Sequence, residues 1–400
     1  GTEKSIRNLI RCFGVDDDLY RINIYTDGTT RTLESGFKYT TVRKNYVDFS
    51  HNKRRDSTVY QYTASSNTNA TSYVTASYDP TDAYDSGMGV TAECEVIFPR
   101  KPEHGAAGHA DYEFSYASSS IMGAYSVKSV LPDSDYTLAD PDYGGFHVTA
   151  VKPQIIEHDG NESKHVYFKL SGTLLSEDDI VLTSSLFYDV YDNEKWNFAV
   201  RVSPLKAGGE FVSGTAGTYL SNPAVSNYNV EFYGVNVAQD QVVNEFHVSS
   251  SIDYTAGRRF VSTPKRFFVG ARHADTVQGV IDKADTKISS LRYWLMPLTN
   301  EEIKAHARDP LNYGVSDPYG TAYLGESTTA TGSHFPGHVP RFKTLALNWD
   351  FDTLTGSDSN GFFVVEDASS VSGDSRYGPS LSNILEKQHT GRGEFFPASD

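Results

Sequence analysis

Residues 266–310 read RFFVGARHADTVQGVIDKADTKISSLRYWLMPLTNEEIKAHARDP, and this stretch decides the fold class. Phe267, Phe268 and Val269 form a short apolar strand that stops at Gly270. Gly279-Val280-Ile281-Asp282 is a second short strand, reached through a polar loop. Ile288, Leu291, Tyr293 and Leu295 mark a third, irregular around Ser289-Ser290 and ended by Pro297. Thr299 and Glu302 then stand at the spacing of a capping box, in which each side chain satisfies a free amide at the start of a helix. The spacing predicts a helix of roughly two or three turns, with Ile303 on its buried side and Pro310 as its stop.

Working outward, further strands are expected on the same grounds of alternation and β-branched or aromatic content. They are Gly89–Pro99, Ser119–Tyr125, the segments 146–156 and 163–171, Asp192–Val202 and Asn229–Asn236. Toward the N-terminus, Ile6–Phe13 reads as helix or strand. Leu19–Tyr25, Thr30–Leu33, Phe37–Val42, Tyr46–Phe49, Thr58–Thr63 and Ser72–Tyr78 read as strands, with a hairpin turn at Asp27-Gly28. Beyond a Gly/Ser/Thr/Pro-rich linker over 317–337, Phe342–Asp352 and Gly361–Asp367 are strands of a tail expected to dock on the same sandwich. The divisions that follow are a small β-rich module over 1–56, a large β domain over 57–310, and a linker with a β-rich extension over 311–400.

The ordered series resembles a laminin-G-like, concanavalin A-like jelly roll running from about Tyr73 to Pro310, well over half of the chain. Gly89–Pro99 resembles its first core strand. Asp192–Val202 resembles the strand with a core aromatic at its start, here Trp196. Asn229–Asn236 resembles the next strand, and the aromatic strand leading into the capped helix resembles its end. The resemblance implies an antiparallel β-sandwich with Val96, Phe98, Trp196, Phe198, Val200, Phe232, Val269 and Trp294 in or near its core.

Composition agrees with a folded β protein. Of 400 residues, 38% are hydrophobic and 22% charged, and 26 Tyr and 22 Phe favour strands over helices. Heptads are missing, which excludes long coiled coils. A net charge of −16 repels nucleic acid, and Lys53-Arg54-Arg55 is too short a cluster to override it, so it is read as a solvated linker. No apolar run approaches the roughly 20 residues of a membrane span. Cys12 and Cys94 fall in different expected modules, and so low a cysteine count suits a reducing compartment. Residue 1 is Gly, read as the mark of a processed chain or of a piece of a longer product.

The search for chemistry returns few candidates. Glycosidases of concanavalin A-like fold set carboxylates on one strand face, about 5–5.5 Å apart when they retain configuration. Glu93 and Glu95 share such a face, but a third acid is missing, and they are read as a solvated strand face. Asp350 and Asp352, beside Trp349, are read as an ordinary strand edge, and Asp16-Asp17-Asp18 as a solvated acidic turn. His104 and His109, with Asp111 nearby, and His334 and His338 lack the ligand spacing of a zinc site and are read as exposed loop histidines. Phosphate loops, nucleophile elbows, zincin helices and dinucleotide fingerprints are absent. Asn69-Ala70-Thr71 and Asn161-Glu162-Ser163 are formal glycosylation sequons. No catalytic, metal or cofactor residue is therefore expected.

Finally, Asn8–Asp16, Tyr293-Trp294 with Ala305–Asp309, and Leu347–Phe351 are similar to phrases of large structural proteins of tailed bacteriophages. That resemblance implies a non-enzymatic structural protein of a virion or extracellular appendage, a homo-oligomer partnered by its own copies and by other structural subunits, with a glycan as a further partner. A carbohydrate-binding surface adhesin and, behind it, a glycoside hydrolase are the other readings.

Overall fold

A computed structural model describes residues 3–14, 44–60, 89–112, 116–126, 145–172, 180–205, 227–238, 240–253, 256–257, 260–261, 265–273, 280–295, 297–309, 345–351, 354–355, 364–365 and 367. The chain divides into two compact units, Gly1–Arg43 and Lys44–Asp400. In the first, Ile6–Phe13 resolves as helix: α1 spans Glu3–Cys12. The strands expected at Leu19–Tyr25, Thr30–Leu33 and Phe37–Val42 lie outside the described residues, as do Ser72–Tyr78, Asp16-Asp17-Asp18, Asp352, His334 and His338.

The second unit is a β-sandwich of two antiparallel sheets. Among the described residues, one sheet has the order β1 (Val47–Asp48), β14 (Lys287–Trp294), β3 (Val90–Phe98), β8 (Glu194–Pro204), β9 (Tyr228–Ala238), β10 (Gln241–Ile252), and β15 (Leu345–Trp349) also pairs with β14. The other has the order β2 (Thr58–Tyr60), β11 (Lys265–Gly270), β4 (Ser118–Ser126), β5 (Phe146–Val151), β6 (Tyr167–Gly172), β7 (Ile180–Thr183). Two small ribbons, β12 (Arg272–His273) with β13 (Val280–Asp282) and β16 (Leu354–Thr355) with β17 (Val364–Val365), complete the strands. Strands β1 and β2 precede residue 57 or follow it closely, and β15 belongs to the tail. Sandwich strands thus stand on both sides of the expected boundaries at 56–57 and 310–311.

The space between the sheets holds the main core. Every residue expected there is buried, from Val96, Phe98, Trp196, Phe198 and Val200 to Phe232, Val269 and Trp294. Phe168 of β6 joins the sheets. Its ring lies 4.6 Å from Phe198, 4.8 Å from Trp196 and 5.7 Å from both Phe98 and Phe246, four rings carried by the opposite sheet. Trp294 belongs to a second apolar layer on the outer face of that sheet, with Tyr233, Val235, Leu298, Ile303 and Leu345. Helix α3 (Asn300–Arg308) covers part of this face; α2 is the short turn His109–Tyr112. With both faces covered, β8 and β9 read as near-continuous buried runs, whereas edge strand β10 alternates.

The terminal stretch folds largely as its chemistry dictates. Thr299 caps α3: its hydroxyl accepts from the Glu302 amide at 3.2 Å, and the Glu302 carboxylate accepts from the Thr299 amide at 2.7 Å. Ile303 is buried beneath it. In β14 the register against β3 shifts between Ile288 and Ser290, which leaves Ser289 to donate to Glu95 Oε1 at 2.6 Å. Gly270 ends β11 at φ +89°, and a Cβ there would meet the Phe49 ring at 2.6 Å and the Ser57 carbonyl oxygen at 2.9 Å. Backbone strain and overpacking therefore add in Gly270→Ala, and chemical denaturation should show a loss of roughly 2–4 kcal/mol.

Two expectations need correction here. Lys53-Arg54-Arg55 is not a solvated linker throughout: a 3-10 turn spans Asn52–Arg54, and Arg55 is 8% exposed, with its carbonyl accepting from the Ala284 amide. The strand expected over 146–156 ends at Val151, because Lys152 turns inward and Pro153 cannot extend the ladder.

Candidate functional site

Glu93 and Glu95 are buried, at 3% and 4% exposure, so the solvated strand face expected for them is overturned. Both point to the outer face of their sheet, and that face is covered. His306 of α3 lies over Glu93, its Nδ1 3.0 Å from each carboxylate oxygen. Trp294 Nε1 donates to Glu93 Oε1 at 3.1 Å, and Arg292 Nη1 is 3.6 Å away. Glu95 accepts from Lys44 Nζ at 2.8 Å and has Lys195 Nζ at 3.6 Å. Burial alone would raise both carboxyls. At Glu93 the interactions with His306 and Arg292 outweigh it and lower the pKa; at Glu95 Lys44 and Lys195 hold it down at about 2. These carboxylates anchor a helix and a strand and are buried among their partners.

A second constellation has the residue types of a hydrolytic triad. Ser120 Oγ is 3.0 Å from His147 Nε2, and His147 Nδ1 is 3.8 Å from Asp282 Oδ2. Its proton wiring runs the wrong way. The Ser120 hydroxyl donates to the Gly270 carbonyl at 2.6 Å, and Arg272 Nη1 faces His147 Nδ1 at 3.4 Å. Arginine can only donate, so Nδ1 accepts and the proton sits on Nε2, which donates to Ser120. A general base must do the opposite. Burial first, and then Arg272 and Lys169, push the His147 pKa well below its usual value, so the buried ring stays neutral.

The open site lies at one end of the sandwich. There the loops after β3, between β5 and β6, and between β7 and β8 bound a cleft of about 500 Å³. Each loop is braced from within. Gly160 (φ +85°) allows the tight return in which Glu157 and Asn161 pair, and Asn161 Oδ1 accepts from the His104 amide at 2.7 Å. That contact uses the sequon asparagine internally. Asn193 caps the start of β8 by accepting from the Arg100 amide at 3.1 Å. Asp189 (φ +58°) donates its amide to His165 Nδ1 at 3.2 Å.

Beneath the cleft sits a charge network drawn from four distant segments. Asp285, fully buried, accepts from Tyr191 Oη at 2.7 Å and from Lys152 Nζ at 3.3 Å, and Lys152 also reaches Glu162 at 3.2 Å. Lys101, whose side chain is 8% exposed, makes only long contacts to Asp285, 3.5 Å to the carbonyl and 3.7 Å to the carboxylate. Burial would raise the Asp285 pKa; Lys101 and Lys152, with Ser119 and Tyr191 as hydrogen-bond partners, reverse that and hold it at about 2. Burial also lowers Lys101, against the pull of Asp285, and raises Glu162 against Lys152 and Lys101. The network keeps Asp285 ionised and presents Lys101 to the cleft.

Apart from Glu162, the middle residue of a formal sequon, none of these residues stood out in the sequence, because no two lie at a motif spacing. Of the residues that did, His104 is exposed on the loop that borders the cleft, whereas His109 starts α2 and is half-buried rather than an exposed loop residue; their rings pack edge to face at 5.2 Å. Among the described residues, no group of three His, Cys, Asp or Glu side chains is placed to hold a metal ion. Asp350 follows the end of β15, and Cys12 and Cys94 carry free thiols.

No family model and no curated protein matches the chain. Among solved structures it is similar to an alginate lyase from Alteromonas sp.272, at 8% identity over 52% of this chain and 72% of that one, with a TM-score of 0.23. It is also similar to the receptor binding domain of botulinum neurotoxin type G, at 8% identity over 57% of this chain and 40% of that one, with a TM-score of 0.24. Likenesses this slight carry no argument about activity or ligand.

Proposed function

We propose that this chain is a non-enzymatic structural protein of a virion or surface appendage that assembles with copies of itself and with other structural subunits. The observation that carries this reading is the apolar face of α1. Ile6 and Leu9 share one face of the helix at i and i+3, Phe13 stands in the turn just past its last residue, and the three are 46%, 60% and 79% exposed. A contiguous apolar strip left in water marks a surface that another chain covers. The resemblance of Asn8–Asp16 to phage structural proteins supports the same conclusion. So does the interior of the sandwich, where the buried ionisable groups at Glu93, Glu95 and Asp285 are held by partners. A carbohydrate-binding surface protein is the second reading, favoured by the cleft.

Sedimentation velocity on the intact chain tests the assembly. Association that grows with concentration is expected, and Leu9→Asp with Phe13→Asp should shift the chain to monomer while leaving its melting temperature nearly unchanged, since both side chains are exposed. A wild-type chain that stays monomeric at every concentration contradicts the reading.

A further inference from the structure

The cleft at the loop end joins three features that point to one class of ligand. At its base is an ammonium, Lys101, its side chain almost wholly buried, whose contacts among the described residues are long: 3.5 and 3.7 Å to Asp285 and 5.9 Å to the centre of the Tyr191 ring. An ammonium has three N–H donors, and these long contacts leave it capacity to donate to a ligand. Around it the lining is acidic, with five Asp or Glu side chains against two further Lys or Arg. Glu157 is among them, about one-third exposed and 4.0 Å from His165. Tyr188 precedes the lining residue Asp189; it is 67% exposed, and its ring is braced edge to face by the lining residue His165 at 4.8 Å.

A fixed anion would meet the Lys101 ammonium but would be repelled by the acidic lining. A fixed cation would suit the lining but meet an ammonium at the base. A hydroxyl accepts from an ammonium and donates to a carboxylate, so a molecule rich in hydroxyls satisfies both ends at once. An exposed, braced aromatic ring adds a flat apolar platform for the C–H face of such a molecule. We propose that this cleft binds a neutral saccharide, with Lys101 donating to one hydroxyl, Glu157 accepting from another, and Tyr188 packing against the sugar ring. The inference rests on the second reading above and gives it a site. It does not depend on self-assembly, which sedimentation reads separately.

The test is binding of a panel of neutral oligosaccharides of glucose, galactose, mannose and N-acetylhexosamines, first on an array and then by calorimetry. A uronate oligosaccharide and inorganic phosphate serve as comparators. The intact protein should bind at least one neutral member. Tyr188→Ala and Lys101→Met should each weaken it about tenfold or more, the scale of one lost stacking or charged hydrogen-bond contact. Tyr188 is a surface residue, so its variant keeps the fold, and a thermal melt checks Lys101→Met. Neutral binding that neither variant weakens, preference for the uronate or phosphate, or no binding across the panel would each overturn the proposal.

Discussion

Asp285→Ala is expected to destabilise the sandwich by about 3–5 kcal/mol, the scale on which breaking a buried ion pair leaves its partners uncompensated. Asp285 accepts from Tyr191 and Lys152 and is the group against which Lys101 is held. Its removal leaves Lys152 with Glu162, and Lys101 without its nearest carboxylate. Urea denaturation measures the loss. The same group sets a pH dependence. Its carboxyl is held at about 2 in the folded chain, below the roughly 3.9 of an unfolded aspartate, so its contribution is present above about pH 4 and disappears as pH falls toward 2. The stability profile of Asp285→Ala should be shallower than that of the wild type across that window. Glu95, also held at about 2, keeps part of the acid slope in the variant.

Phe168→Ala should cost a similar amount, about 3–5 kcal/mol, for a different reason. Phe168 is fully buried, and its ring touches Trp196, Phe198, Phe98 and Phe246 on the facing sheet and Phe187 on a neighbouring loop. Truncation opens a cavity where the two sheets meet, and those rings cannot all collapse into it. Phe168→Leu keeps most of the volume and should recover much of the loss. A variant series in which alanine costs under about 1 kcal/mol would show that the sheets are not joined there.

The sequence carried much of this architecture, most clearly where the cause is local. The Thr299–Glu302 cap, the stop at Gly270 and the irregularity at Ser289-Ser290 depend on residues a few positions apart, and each was legible. Strand β10 was not. Its inward positions include Asn244 and Ser250 as well as Phe246 and Val248, and a register irregularity between Val242 and Asn244 turns Val242 to the outer layer, which dilutes the alternation that marks a strand. The misreading of Glu93 and Glu95 has a long-range origin. Their alternation on β3 was correct, but the histidine that covers Glu93 lies 213 residues away. No local pattern indicates that the outer face of a sheet will be roofed by a helix. The cleft was illegible for the same reason: Lys101, Lys152, Tyr191 and Asp285 meet only after both sheets have formed. The local features that were singled out near it are His104 and His109, on the segment bordering the cleft, and the sequon Asn161-Glu162-Ser163, which lines it.

The reading of this protein as one that holds and binds makes its polar interior structural. Prolonged incubation of the intact chain with neutral polysaccharides and polyuronates, followed by quantification of new chain ends, tests that most directly. No time-dependent release is expected with any polymer, including those the protein binds. Sustained turnover that disappears in Lys101→Met, Glu157→Gln or Ser120→Ala, with the fold intact, would contradict it.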